Sequence, residues 1–103
     1  MLFRSPAALT LAARINLQLA NADRALELAA AALRISEAVA RDPRHSADVG
    51  EALLALASVQ SARGDRSGAR QSAGRAVEAL ASSLGKEHRL TREAEELDRS
   101  LQS

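Results

Sequence analysis

The sequence has no cysteine, tryptophan or tyrosine, a single phenylalanine and a single lysine. Without cysteine there is no disulfide, no zinc–thiolate site and no thiol nucleophile, and the redox compartment leaves no trace. Hydrophobic residues make up 47% of the chain but aromatics only 1%, so alanine and leucine must build the core. Both residues favour helix. The valine, isoleucine, threonine and aromatic residues that suit a pleated sheet are scarce. One-sided charge is also missing: 14 basic and 13 acidic residues leave a net charge of +1. No strong field therefore steers the chain to nucleic acid or an anionic membrane. No run reaches the ~20 apolar residues of a membrane span. What remains is one all-α domain of 103 residues, with a core thin enough that every helix must contribute a face.

Thirteen of the 14 basic residues are arginine, which beside the alanine content suggests a GC-rich bacterial coding sequence. Met1-Leu2-Phe3-Arg4 and the Ala/Leu run behind it have the outline of a signal peptide. Arg14 interrupts that run, and from Ala8 onward the residues belong to a repeat, so a cytoplasmic chain is the expectation. Residues 1–7 stand as a tail outside the repeat.

The repeat emerges on shifting the sequence by 44 positions. Ala8-Leu9 then falls on Ala52-Leu53, Ala12-Ala13 on Leu56-Ala57, and Ile15 on Val59. Ala25, Ala29 and Ala32-Leu33 fall on Ala69, Ala73 and Ala76-Val77, and, with one residue removed, His45 falls on His88. A period of this length with helical content marks units that bury their apolar faces by stacking.

Breakers sit between the expected helices. Pro6 suits a first turn, and Asn21 or Asp23 can cap the second helix. Asp42-Pro43 ends that helix, and Ser46 or Asp48 can cap the third. Gly64 closes the third helix at about Arg63, Asp65 caps the fourth, and Gly85 closes it. A fifth helix is expected from about Glu87. The fourth helix carries Ala69, Ala73, Ala76, Val77, Leu80 and Leu84 on one face, and the third carries Val49, Ala52, Leu53, Leu56 and Val59. Ala13, Ala25, Ala57 and Ala69 mark places where paired helices approach closely.

The small residues Ala13, Ala25, Ala29 and Ala32, with their counterparts Ala57, Ala69, Ala73 and Ala76, resemble the tetratricopeptide repeat. The likeness is to its long form of about 42 residues, found in kinesin light chains and bacterial proteins. Leu84-Gly85-Lys86-Glu87-His88, and more loosely Asp42-Pro43-Arg44-His45, look like the loops that join such units. The resemblance implies a superhelix of two helical hairpins and a C-terminal capping helix. Its units would be residues 8–45, 46–86 and 87–103. It also implies a protein or peptide partner held on the concave side, which the first helix of each pair lines. In register, Thr10, Arg14, Leu17 and Gln18 would face that side together with Leu54, Ser58 and Ser61. Arg14 would be the anchor for an acidic partner, with Leu17 and Leu54 as apolar contacts. The long form often places asparagine on this inner face. Thr10-Leu11 and Leu54-Ala55 stand there instead, so a clamp on a peptide backbone is not implied.

The two ends differ. The last helix carries Leu90, Ala94, Leu97 and Leu101 on one stripe and is otherwise charged, as a solvated cap would be. In the first helix only Thr10, Arg14, Asn16 and Gln18 are polar between Ala7 and Ala20, so neighbours are expected on several sides. The chain thus reads as the C-terminal end of a longer array, or as one that self-associates through its first helix. A related expectation makes it a sensor or docking segment of a bacterial serine/threonine kinase or transcriptional regulator.

Nothing suggests catalysis. His45 and His88 lack ligand partners at metal spacing. Gly64-Asp65-Arg66-Ser67-Gly68 lacks the Lys-Ser/Thr ending of a phosphate loop and joins two helices. Glu93, Glu95 and Glu96 read as solubility, and Arg63, Arg66 and Arg70 as a solvated basic stripe. The expectation is a non-catalytic interaction scaffold without metal, cofactor, nucleic-acid or membrane binding.

Overall fold

Local chemistry sets the helix boundaries in the computed structural model, which describes residues 5–102. Residues 1–4, and with them most of the expected tail and leader outline, lie outside the described residues. Ser5 caps α1 (Pro6–Gln18), whose first residue is the proline that needs no amide partner there. Asn21 caps α2 (Ala22–Val39), Ser46 caps α3 (Ala47–Ala62) and Asp65 caps α4 (Arg66–Leu84). His88 caps α5 (Arg89–Leu101), its Nδ1 accepting the Leu90 amide at 3.1 Å. Between α2 and α3, Pro43–His45 forms a 3-10 turn that Asp42 caps. The described residues contain helices and turns and no strand.

The repeat is visible in the turns, bond for bond. Leu19, Ala20 and Asn21 donate to the carbonyls of Ile15, Leu17 and Asn16 at 3.1, 3.0 and 2.8 Å. Forty-four residues on, Arg63, Gly64 and Asp65 donate to Val59, Ser61 and Gln60 at 3.0, 3.1 and 2.8 Å. The middle residue is left-handed in both turns: Gly64 has φ 84°, and Ala20 has φ 63°. Glycine takes this conformation without penalty, whereas the Ala20 Cβ crowds the following carbonyl. Three-residue turns between helices in contact make two antiparallel hairpins, α1–α2 and α3–α4.

Alanine sets the spacing within and between hairpins. Ala13, Ala25, Ala29 and Ala32, and their counterparts Ala57, Ala69, Ala73 and Ala76, are all fully buried. Gly50 brings α3 closer still to α4, since a Cβ there would lie 2.7 Å from Leu80 Cγ. Each helix packs on the next in sequence, and α3 also meets α1, α5 and the 3-10 turn. The molecule is consequently broad and flat, 33 × 33 × 20 Å. The second hairpin is tied to the first by ion pairs of Arg63 with Asp23 and of Arg75 with Glu37, the latter at 2.7 Å.

Two expectations need correction. His45 and His88 are not equivalent: His45 ends the 3-10 turn beside Ser82 (2.8 Å), while His88 is an N-cap. The caps Ser46 and His88 match instead at a shift of 42. In that register Val49, Ala52 and Val59 of α3 fall on Thr91, Ala94 and Leu101 of α5, and all six are buried. The last helix therefore shares three of the eight buried positions of α3, and it buries Leu90, Ala94 and Leu101 of its expected stripe. The apolar face of α3 is also broader than one stripe. Leu53, Leu54 and Ala55 are all buried, because this helix has neighbours on several sides.

Thr91 occupies the position of Val49, and its buried hydroxyl has no hydrogen-bond partner among the described residues. Thr91→Val should raise stability by about 1 kcal/mol by removing an unsatisfied polar group. Ala20→Gly should also stabilise, by roughly 0.5–1 kcal/mol, and Gly64→Ala should destabilise by a similar amount. Urea melts of the three variants check both statements. Unchanged or reduced midpoints for Thr91→Val would mean the hydroxyl is satisfied in solution.

Candidate interaction surface

α3 touches both α1 and α5 and so stands between them. That arrangement decides the fate of the residues expected to face a partner. Thr10 and Leu54 are buried, with 4% and 1% of their surfaces exposed. Leu54 lies in the cluster formed with Leu90 and Ala94, where α5 covers it. Ser58 and Ser61 are half-buried, as is Leu17, and Gln18 is exposed. The Ser58 hydroxyl donates to the Leu54 carbonyl at 3.1 Å, an internal helical bond.

Arg14 is the largest departure. Its guanidinium donates to a Glu93 carboxylate oxygen at 2.6 Å, so α1 is tied to α5 across α3. The expected anchor for an acidic partner already has an acidic partner within the chain. Both side chains are about a third exposed, 35% and 36%, so water and salt weaken the pair.

Two shallow depressions flank this bridge. Arg14, Leu17, Gln18, Ala55, Ser58 and Val59 line one of about 140 Å³. Leu54, Ser58, Glu93, Glu96, Leu97 and Ser100 line the other, of about 380 Å³. Ser58 belongs to both, so they form one trough interrupted by the Arg14–Glu93 pair. Thr10 and Ser61 line neither. Arg14 cancels one of the trough's two carboxylates, Glu93, and Glu96 leaves its rim negative. The α5 contribution was missed because these glutamates read as solubilising. The shift of 42 was the available signal, since it places Ser100 on Ser58 and so α5 on the lined side.

Other candidate features resolve into local structure. The Gly64–Gly68 segment is a turn in which Asp65 accepts the Gly68 amide at 3.0 Å. The basic stripe is divided: Arg63 pairs with Asp23, while Arg66 and Arg70 border a depression of about 630 Å³ with Gln71 and Asp98. Among the described residues, no three His, Asp or Glu side chains are placed to hold a metal ion. No helix of the described residues is long and apolar enough to cross a membrane. No protein-family model, curated protein or solved structure matches the chain.

The bridge can be measured. A double-mutant cycle of Arg14→Ala and Glu93→Ala should give a coupling of about 0.5–1 kcal/mol that declines at high salt. A cycle that closes at zero would mean the two side chains do not meet in solution.

Proposed function

We propose that the chain is a non-catalytic protein-interaction scaffold built from tetratricopeptide-like units, with the α1–α3–α5 trough as its peptide-binding side. The observation that carries this reading is the repetition itself. Two hairpins share their turn hydrogen bonds and their buried alanines, and a fifth helix shares three buried positions with α3. Stacked hairpins of this kind leave one row of helices to face a ligand, and here the row is lined by side chains from three helices. Shallow, open depressions suit an extended segment better than a small molecule, which a site of its own would largely enclose.

The charge of the trough favours a basic segment. Arg14 is engaged by Glu93, and Glu96 stands at the rim, so a lysine or arginine of the partner would meet a carboxylate. Leu17 and Leu97 offer apolar contact on either side of Ser58.

A random-peptide display library screened on the purified chain tests this reading. Enriched peptides should combine a basic residue with apolar ones. They should bind the Glu96→Arg variant about tenfold or more weakly, which corresponds to ~1.4 kcal/mol. Enrichment of nothing, or of peptides that bind Glu96→Arg as well as the parent chain, would overturn the assignment.

A further inference from the structure

The trough holds a cation of its own. Arg14 lines the smaller depression and Glu93 the larger, and their ion pair at 2.6 Å separates the two, which share Ser58. The contact is light. One guanidinium nitrogen, Nη2, donates to one carboxylate oxygen, Oε2, and among the described residues no other hydrogen bond holds either side chain. A bidentate fork with two parallel bonds would be stronger and more restrictive. Water reaches both partners and replaces the bond at small cost. Opening the pair needs two long side chains to rotate and no helix to move.

Opening it changes what the trough presents. Glu93 and Glu96 stand three residues apart on α5, so they are neighbours along the helix, and both line the larger depression. Arg92 and Arg99 share another depression with Glu96, but Arg92 is engaged by Glu87, and neither arginine lines the trough. With Arg14 in place, a ligand meets one carboxylate without an ion pair, Glu96. With Arg14 turned away it meets two, their Cβ atoms ~5–6 Å apart. An extended segment presents side chains on one face at every second residue, about 7 Å apart, which long basic side chains bring into register with such a pair.

We infer that Glu93 is a second contact for the partner and that Arg14 is its internal competitor. The segment this trough takes carries basic residues at alternate positions, one meeting Glu96 and the other displacing Arg14 from Glu93. The exchange conserves ion pairs, because Glu93 trades one cation for another and Arg14 is released to water. A segment with a single basic residue pairs with Glu96 and leaves the bridge closed, so Arg14 sets how much positive charge a ligand must bring. This inference rests on the trough being the binding side and adds which residues within it select the ligand.

Two fluorescent peptides test it by anisotropy titration with the full chain at low salt: Leu-Ala-Arg-Ala-Arg-Ala-Leu, and Leu-Ala-Arg-Ala-Ala-Ala-Leu with one arginine removed. Arg14→Met takes away the charge and keeps most of the side-chain length. It should tighten the doubly basic peptide about threefold to fivefold, the reach of one part-exposed ion pair, and leave the singly basic one unchanged. The gain should vanish in ~1 M salt. Adding Glu93→Gln to Arg14→Met should abolish it, and Arg14→Lys, which keeps the competing charge, should bind as the parent does. Arg24→Met makes the same change of charge on α2 by freeing Glu27, outside the trough, and should gain nothing. That control separates local exchange from general attraction between opposite charges. No gain from Arg14→Met, or an equal gain from Arg24→Met, would overturn the inference. Glu96→Arg tells this failure from the failure of the trough itself. If Glu96→Arg weakens both peptides while Arg14→Met changes nothing, the binding side stands and the competitor alone is lost. If neither peptide binds, or Glu96→Arg weakens neither, both readings fall.

Discussion

Close approach of helix backbones through alanine is the constraint on which this structure depends. Eight alanines, four in each hairpin, are fully buried at matching positions, and Gly50 extends the same logic where α3 meets α4. A chain with one aromatic residue cannot fill wide gaps between helices. It must bring the helices close enough for methyl groups to complete the packing, because dispersion contacts decay within a fraction of an ångström. Narrow seams also fix the relative placement of consecutive helices. The turns serve that placement, and the strain accepted at Ala20 indicates that the turn geometry is imposed by the seam on either side of it.

From the narrow seams follows the central role of α3. It meets every other α-helix, and it is apolar around most of its circumference. Its neighbours α1 and α5 are brought near enough for Arg14 to reach Glu93, residues 79 positions apart in the chain. That ion pair is weak in energy, yet it divides the trough and reverses the charge that a ligand would meet. The shape and charge of this face are thus a by-product of how closely the core packs.

Much of the architecture was legible beforehand, residue by residue. Asn21, Ser46 and Asp65 cap their helices, Gly64 takes the left-handed turn, and Ala25, Ala29, Ala69 and Ala73 line the seams. The candidate binding residues were less legible. Thr10 and Leu54 fall where the resemblance implies partner-facing residues, but the packing of the helices buries both. For Thr91 the shift of 42 that places it on Val49 was the sole signal of burial, because a threonine in a charged helix otherwise reads as a surface residue.

Local chemistry explains the division. A cap bonds an amide two or three residues away, a left-handed turn needs its own backbone geometry, and a helical face follows from a period of 3.6, so the amino-acid order determined where the helices lie and which alanines repeat. Burial and charge pairing depend on what stands across from a residue. Leu11 and Ala55 occupy the same place in their units, and only the helix packed over one of them makes it core. The partner of Arg14 was likewise decided in three dimensions, since electrostatic attraction acts through a few ångströms of space and takes no account of distance along the chain.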